Sequence, residues 1–344
     1  MKRNLSLYFA AAVLALVVSP TAILAQTLGD SRVVAPVPSP GYPEGIAVRG
    51  NRFYVSGPAA FGQPLGSAYV YAYDIKTGAM EATYPINFTN PFAGMSAASC
   101  AAFGPDGKLY VIEPFVGVIR MDLNPGNTQS VYATFPPAPP GTSLLNDLAF
   151  DNAGNLYVTD SFAATIFRVP AGGGAATAWF TDPRLAGDPA VPFGVNGIRM
   201  DENYQNVYVA VTAENGTLNG VIYRLPLANP TAANLFEFHR YAFPPLAGPD
   251  GIAFGRSGKL YVALAGTSQI SVLRPDGTEE ARYSGPADNP GGTPDPMPWA
   301  NPANIAFDKQ GSLLVTNHAS LVPFDPNLFC VFNVFVDDKA QPLP

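Results

Sequence analysis

Six segments of this chain, spaced about fifty residues apart, repeat one pattern: a polar or small residue, a short apolar strand, a tight turn and a second apolar strand. They read PEGIAVRGNRFYV from Pro43, SCAAFGPDGKLYV from Ser99, LNDLAFDNAGNLYV from Leu145, VNGIRMDENYQNVYV from Val195, PDGIAFGRSGKLYV from Pro249 and PANIAFDKQGSLLV from Pro302. The position just before each first strand holds Glu44, Ser99, Asn146, Asn196, Asp250 and Ala303, at spacings of 55, 47, 50, 54 and 53. A period this long, with room for four short strands per unit, predicts an all-β, six-bladed β-propeller of four-stranded antiparallel blades.

In such a ring the innermost strand of every blade lines the central channel, so equivalent positions encircle the axis. Glu44, Asn146, Asn196 and Asp250 then present two carboxylates and two amide carbonyls to one point. That hard oxygen set suits Ca²⁺ and balances its charge.

Residues 1–25 stand apart: Lys2 and Arg3, an apolar run from Leu5 to Val18, then Ile23-Leu24-Ala25 before Gln26. This order predicts a secretory signal peptide cleaved after Ala25, with an uncleaved anchor as the alternative, and residues 26–344 as one propeller domain. The expected location is secreted or periplasmic. Without Lys2 and Arg3 the chain keeps 17 Lys and Arg against 26 Asp and Glu, a net charge of −9. That balance disfavours nucleic acid and anionic membranes as partners. The 36 Pro and 33 Gly match many short strands joined by turns. Cys100 falls on an inner strand and Cys330 on a late strand of the last blade, too far apart for a disulfide, so two buried free thiols are expected.

Within blade 3 the strands read LNDLAF, NLYVTD, ATIFRVP and ATAWF. Hairpins turn at Pro105-Asp106-Gly107 and Asn152-Ala153-Gly154, which makes Asp106 and Asn152 turn formers. Gly172-Gly173-Gly174 reads as a blade loop. The segment Ser31 to Val37 is expected to supply the missing outer strand of blade 6 and close the ring. Glu113, Asp160, Ser161, Asn317 and His318 follow second strands and border the channel mouth. Ordinary loop hydrogen bonds account for most of them, with His318 the residue to weigh.

These residues resemble the gluconolactonase and regucalcin superfamily of six-bladed propellers, which also contains paraoxonases and diisopropyl fluorophosphatase. The resemblance runs from Pro43 to about Asp338. It is carried by PEG at Pro43–Gly45, NDLAFD at Asn146–Asp151, NG at Asn196–Gly197 and PDGIAF at Pro249–Phe254. It implies that Glu44, Asn146, Asn196 and Asp250 surround a catalytic divalent metal at the bottom of a funnel where lactones, and in some members organophosphates, are hydrolysed. The metal is usually Ca²⁺, with Mg²⁺, Mn²⁺ and Zn²⁺ left open. His318, in VTNH, resembles an active-site-lining His of the fluorophosphatase branch; the bland reading is a hydrogen-bonded rim residue. Asp250 and His318 are the candidate catalytic residues.

The chain departs from the sugar-lactonase pattern at Leu144 and Leu148, where an Arg and a Gly are typical. Together with Phe92, Phe115, Phe162 and Phe193 in mouth loops, this points to a hydrophobic lactone or ester; packing between blades is the alternative for each ring. No G-x-S-x-G, H-E-x-x-H, C-x-x-C, P-loop or EF-hand pattern occurs. The expected function is an exported metal-dependent hydrolase. The alternative is a non-catalytic binding or scaffold propeller with a structural calcium ion. A lyase-type propeller has no residues to name for it, and oligomeric state is not read from the sequence.

Overall fold

The computed structural model describes residues 26–59, 67–88, 96–124, 126–289 and 295–342. The signal-peptide reading therefore lies outside the described residues, as does Phe92. Among the described residues, no helix is long and apolar enough to cross a membrane.

Six antiparallel sheets follow one another along the chain, one for each repeat. Their inner strands are Ile46–Arg49, Ala101–Phe103, Leu145–Phe150, Val195–Met200, Pro249–Phe254 and Pro302–Phe307. Blade 3 runs Leu145–Phe150, Leu156–Asp160, Thr165–Val169 and Thr177–Thr181, as its sequence predicts. Inner strands of successive blades contact one another around the ring, including those of blades 6 and 1. Closure is by Ser31–Pro36, which pairs antiparallel with Cys330–Phe335 from Ser31 opposite Val334 to Pro36 opposite Cys330. An N-terminal strand thus completes the last blade, so the ring shuts by hydrogen bonding between the two ends of the domain. Gly174–Ala175 of the triple-glycine loop adds a short parallel pairing to the outer strand of blade 2, Thr128–Thr134.

Burial grades from the axis outward. Second strands such as Leu156–Asp160 and Leu260–Leu264 are buried at every residue, because a neighbouring blade covers each face. Outer strands such as Glu279–Ser284 alternate with solvent. The apolar core is accordingly six clusters, one in each interface between adjacent blades. A repeated aromatic pair organises them. In four of the six interfaces the Tyr of the second strand packs edge-on against the Phe ending the next blade's inner strand: Tyr54 on Phe103, Tyr110 on Phe150, Tyr208 on Phe254 and Tyr261 on Phe307, with centroids 4.8–5.3 Å apart. Cys100 and Cys330 are buried and unpaired, as expected.

Candidate metal centre

Four of the six positions at the channel are set by a repeated irregularity of the first hairpin; in blades 1 and 2 Glu44 and Ser99 precede the strands Ile46–Arg49 and Ala101–Phe103. In blades 3 to 6 the strand register slips between Leu145 and Leu148, Val195 and Ile198, Pro249 and Ile252, and Pro302 and Ile305. Such a bulge re-aims side chains and frees two consecutive residues per blade from the ladder. The first is the ring residue singled out by the repeat; the second forms a further layer at Gly45, Cys100, Asp147, Gly197, Gly251 and Asn304.

Hydroxyls staple the ring from blade to blade. Ser99 Oγ donates to the Asn146 carbonyl at 3.0 Å, Thr159 Oγ1 to that of Asn196 at 2.6 Å, and Thr316 Oγ1 to that of Glu44 at 3.0 Å. Two more hydroxyls orient the candidate ligands. Asn146 Nδ2 donates to Ser161 Oγ and Asn196 Nδ2 to Thr212 Oγ1, each at 3.0 Å. With the amide nitrogens fixed, both Oδ1 atoms are turned away from these donors. Asn146 Oδ1, Asn196 Oδ1 and Glu44 Oε2 are fully buried acceptors with no hydrogen-bond donor. Leaving several such oxygens together unmet is costly, and a cation is the partner that meets all of them at once.

The charges agree. Glu44 is 2% exposed, whereas Asp250 alone of the four keeps partial access to solvent. Among the described residues neither carboxylate pairs with a Lys or Arg. Burial, reinforced by Asp147, pushes Glu44 up to about 8. Burial and then Glu44 and Asp147 hold Asp250 well above the usual carboxylate range, against a hydrogen bond from Asn196. Glu44, Asn196 and Asp250 thus act on one another electrostatically; Asn146 occupies the equivalent position in the intervening blade. Among the described residues no group of three or more His, Cys, Asp and Glu gathers as a metal site would. The donor set is instead two carboxylates and two carboxamides, which fits a hard divalent ion such as Ca²⁺.

His318 is not an exposed rim residue: it is 5% exposed, with Nε2 3.5 Å from Glu44 Oε2. Burial lowers its pKa to about 3, so the ring is neutral. Tyr42 meets it edge-on at 5.9 Å and in turn lies 6.4 Å from Phe324. The other mouth residues make loop hydrogen bonds, as expected. Glu113 accepts from Ala97 N and Phe115 N, Asp160 from Leu144 N and Phe162 N, and Asn317 from Ala300 N. Phe162 packs on Phe193 at 5.6 Å, Phe115 is 53% exposed, and Leu321 and Phe324 extend further still into solvent.

The layer beneath the ring was not anticipated from sequence. Asp147 Oδ2 accepts from Arg199 Nη1 at 2.6 Å, Arg199 Nη2 approaches Asn304 Oδ1 at 3.5 Å, and Asn304 Nδ2 donates to Cys100 Sγ at 2.9 Å. Blades 1, 4 and 5 contribute glycines because space is lacking: a Cβ on Gly45 would lie 2.7 Å from Cys100 Cα, and one on Gly251 2.7 Å from the Ala303 carbonyl oxygen. The result is a polar plug across the axis. Its signal was the column of residues one place after the ring, which alternates glycine with Cys, Asp and Asn.

Fold and geometry together define a six-bladed propeller with a buried, oxygen-lined axial site. The chain belongs to the SMP-30/gluconolactonase/LRE-like family, whose model matches residues 65–292. It is similar to the calcium-binding protein regucalcin from Agrobacterium tumefaciens, with 18% identity, 91% of this chain and 96% of that one covered, and a TM-score of 0.65. A gluconolactonase from Xanthomonas campestris gives 18% identity, coverages of 94% and 93%, and a TM-score of 0.57. An inactive virginiamycin B lyase from Staphylococcus aureus gives 16% identity, coverages of 89% and 99%, and 0.54. These structural likenesses establish the fold. No curated protein matches the chain in sequence.

Proposed function

We propose that this chain is an exported metal-dependent hydrolase that opens lactones or related esters in the funnel above Glu44, Asn146, Asn196 and Asp250. The observation that carries the reading is the set of buried, donorless oxygens Asn146 Oδ1, Asn196 Oδ1 and Glu44 Oε2, with the Glu44 and Asp250 carboxylates lacking a Lys or Arg partner among the described residues. A divalent ion held there, Ca²⁺ by donor type, would polarise the substrate carbonyl and stabilise the oxyanion formed on water attack. Asp250, the most accessible of the four, faces incoming substrate. Neutral His318 backs Glu44, its Nε2 3.5 Å from Oε2, while Tyr42 and Phe324 form an apolar wall beside it. Leu144 adds apolar surface where a sugar-binding site would place a guanidinium, so the substrate class is a hydrophobic lactone or ester.

The test is metal analysis of the purified mature protein, then a hydrolysis screen over alkyl lactones, sugar lactones, aryl esters and phosphotriesters with and without chelator. Chelator-sensitive turnover with one divalent ion per chain supports the proposal. One bound ion with no turnover in any class favours the scaffold reading, in which the ion only ties the inner strands together.

A further inference from the structure

Three residues beyond the ring, the inner strands hold Ala47, Ala102, Ala149, Arg199, Ala253 and Ala306. Five blades thus place a methyl group where the sixth places a guanidinium. Five small side chains leave the axis wide at this level, and a cavity of about 430 Å³ occupies it. None of Glu44, Asn146, Asn196, Asp250 and His318 lines this cavity. The plug of Cys100, Asn304, Arg199 and Asp147 separates it from the ring. It is therefore a second compartment, reached from the face opposite the funnel. The C-terminal segment Ala340–Pro342 forms part of its wall, pinned by Gln341 N to the Phe254 carbonyl at 3.1 Å and Gln341 Nε2 to that of Met200 at 3.3 Å.

Arg199 gives this compartment its chemistry. Nη1 is spent on Asp147 Oδ2 and on the Ile198 carbonyl. Nη2 has only the 3.5 Å approach to Asn304, and no acceptor among the described residues lies on Nε. The Nε–Nη2 edge is the side of a guanidinium that takes a carboxylate in two parallel hydrogen bonds. The side chain keeps 20% exposure and belongs to the cavity wall, and its Nε–Nη2 edge is the part not committed to Asp147. Lys309 stands exposed at the same wall, next to Asp308, whose carboxylate accepts from Gln310 N, Ser312 N and Asn333 Nδ2. The cavity volume is that of a small-molecule site, its lining mostly apolar, with Tyr204, Asp308, Lys309 and Gln341 beside Arg199.

We infer that this axial cavity binds a medium-chain aliphatic carboxylate, its chain among the alanines and its head on the Nε–Nη2 edge of Arg199. The inference goes beyond the proposed hydrolysis and does not rest on it, since none of the proposed metal ligands lines this cavity.

The probe is octanoate, with 1-octanol as its uncharged counterpart and 8-bromooctanoate for crystallography, all with the full mature chain. Titration calorimetry should show octanoate binding and 1-octanol binding at least about tenfold weaker, as loss of a hydrogen-bonded ion pair predicts. Ala306→Phe, which fills the cavity from a position outside the metal ring, should abolish octanoate binding while leaving thermal stability and divalent-ion binding in place. Arg199→Gln exposes Asp147 to an unpaired buried state and risks misfolding, so the bromine position decides independently. An anomalous bromine peak within the cavity, with the carboxylate on Arg199, is the expected result. A peak only in the funnel, no peak at saturating ligand, or unchanged binding in Ala306→Phe overturns the inference.

Discussion

At the residue scale, the centre depends on two carboxylates that differ in access and on two amides turned by hydroxyls. Asp250→Ala and Glu44→Ala should each abolish chelator-sensitive hydrolysis and weaken divalent-ion binding, measured by calorimetry and by turnover with metal in excess; full activity in Asp250→Ala would remove it from the site. His318→Ala should lower kcat by about 10² or less, because a neutral ring packed beside Glu44 contributes at most positioning or proton transfer. Thr212→Val and Ser161→Ala keep the ligands but free the Asn196 and Asn146 amides to rotate. Loss of such an orienting contact costs about 10–100-fold in metal affinity, so a metal titration showing no change would mean that backbone packing alone sets the amides. Leu144 bears on substrate choice. Each methylene buried contributes about 0.8 kcal/mol, and kcat/KM for a γ-alkyl lactone should exceed that for gluconolactone by about tenfold; a preference for the sugar lactone would show that Leu144 does not set specificity.

At the element scale, each blade is stable only against its neighbours, because its apolar faces meet in the six interblade clusters. Where Tyr157 and Leu314 lack the Phe partner, Met200 and Val48 stand at the equivalent positions, and both pairs lie in the corresponding clusters. Phe150 meets Tyr110 at 4.8 Å and is 7% exposed. Phe150→Ala should destabilise the domain by about 3 kcal/mol, the cost of removing a buried ring and leaving a cavity. Urea unfolding measures it, and a loss below about 1 kcal/mol would mean that the interface collapses to refill the space.

At the scale of the whole molecule, closure joins the ends of the domain: Ser31–Pro36 hydrogen-bonds to Cys330–Phe335, and Thr316 of blade 6 reaches the Glu44 carbonyl of blade 1. Deleting residues 26–36 would expose the edge of Cys330–Phe335 and part of the cluster containing Ala35 and Phe329. Such a truncation should lower the melting temperature markedly and promote aggregation in light scattering. Unchanged melting would show that packing between blades 1 and 6 suffices to hold the ring.

The repeat by itself determined the architecture, because a strand–turn–strand unit recurring near fifty residues leaves no other way to bury each unit's apolar faces. Equivalent positions in a closed ring must share one radius, and so the same register marked Glu44, Asn146, Asn196 and Asp250. It also placed the closing strand and the separation of the two thiols. The tertiary structure alone decided what those residues meet. That His318 is buried against Glu44 from the far end of the chain, that Ser161 and Thr212 turn the two amides across the first hairpins of their own blades, and that Arg199 reaches Asp147 of the preceding blade, 52 residues away, all depend on bulges and on the way the blades close on one another. No local pattern encodes such meetings, since a side chain's partner across the axis is set by the closure of the ring and not by its neighbours along the chain.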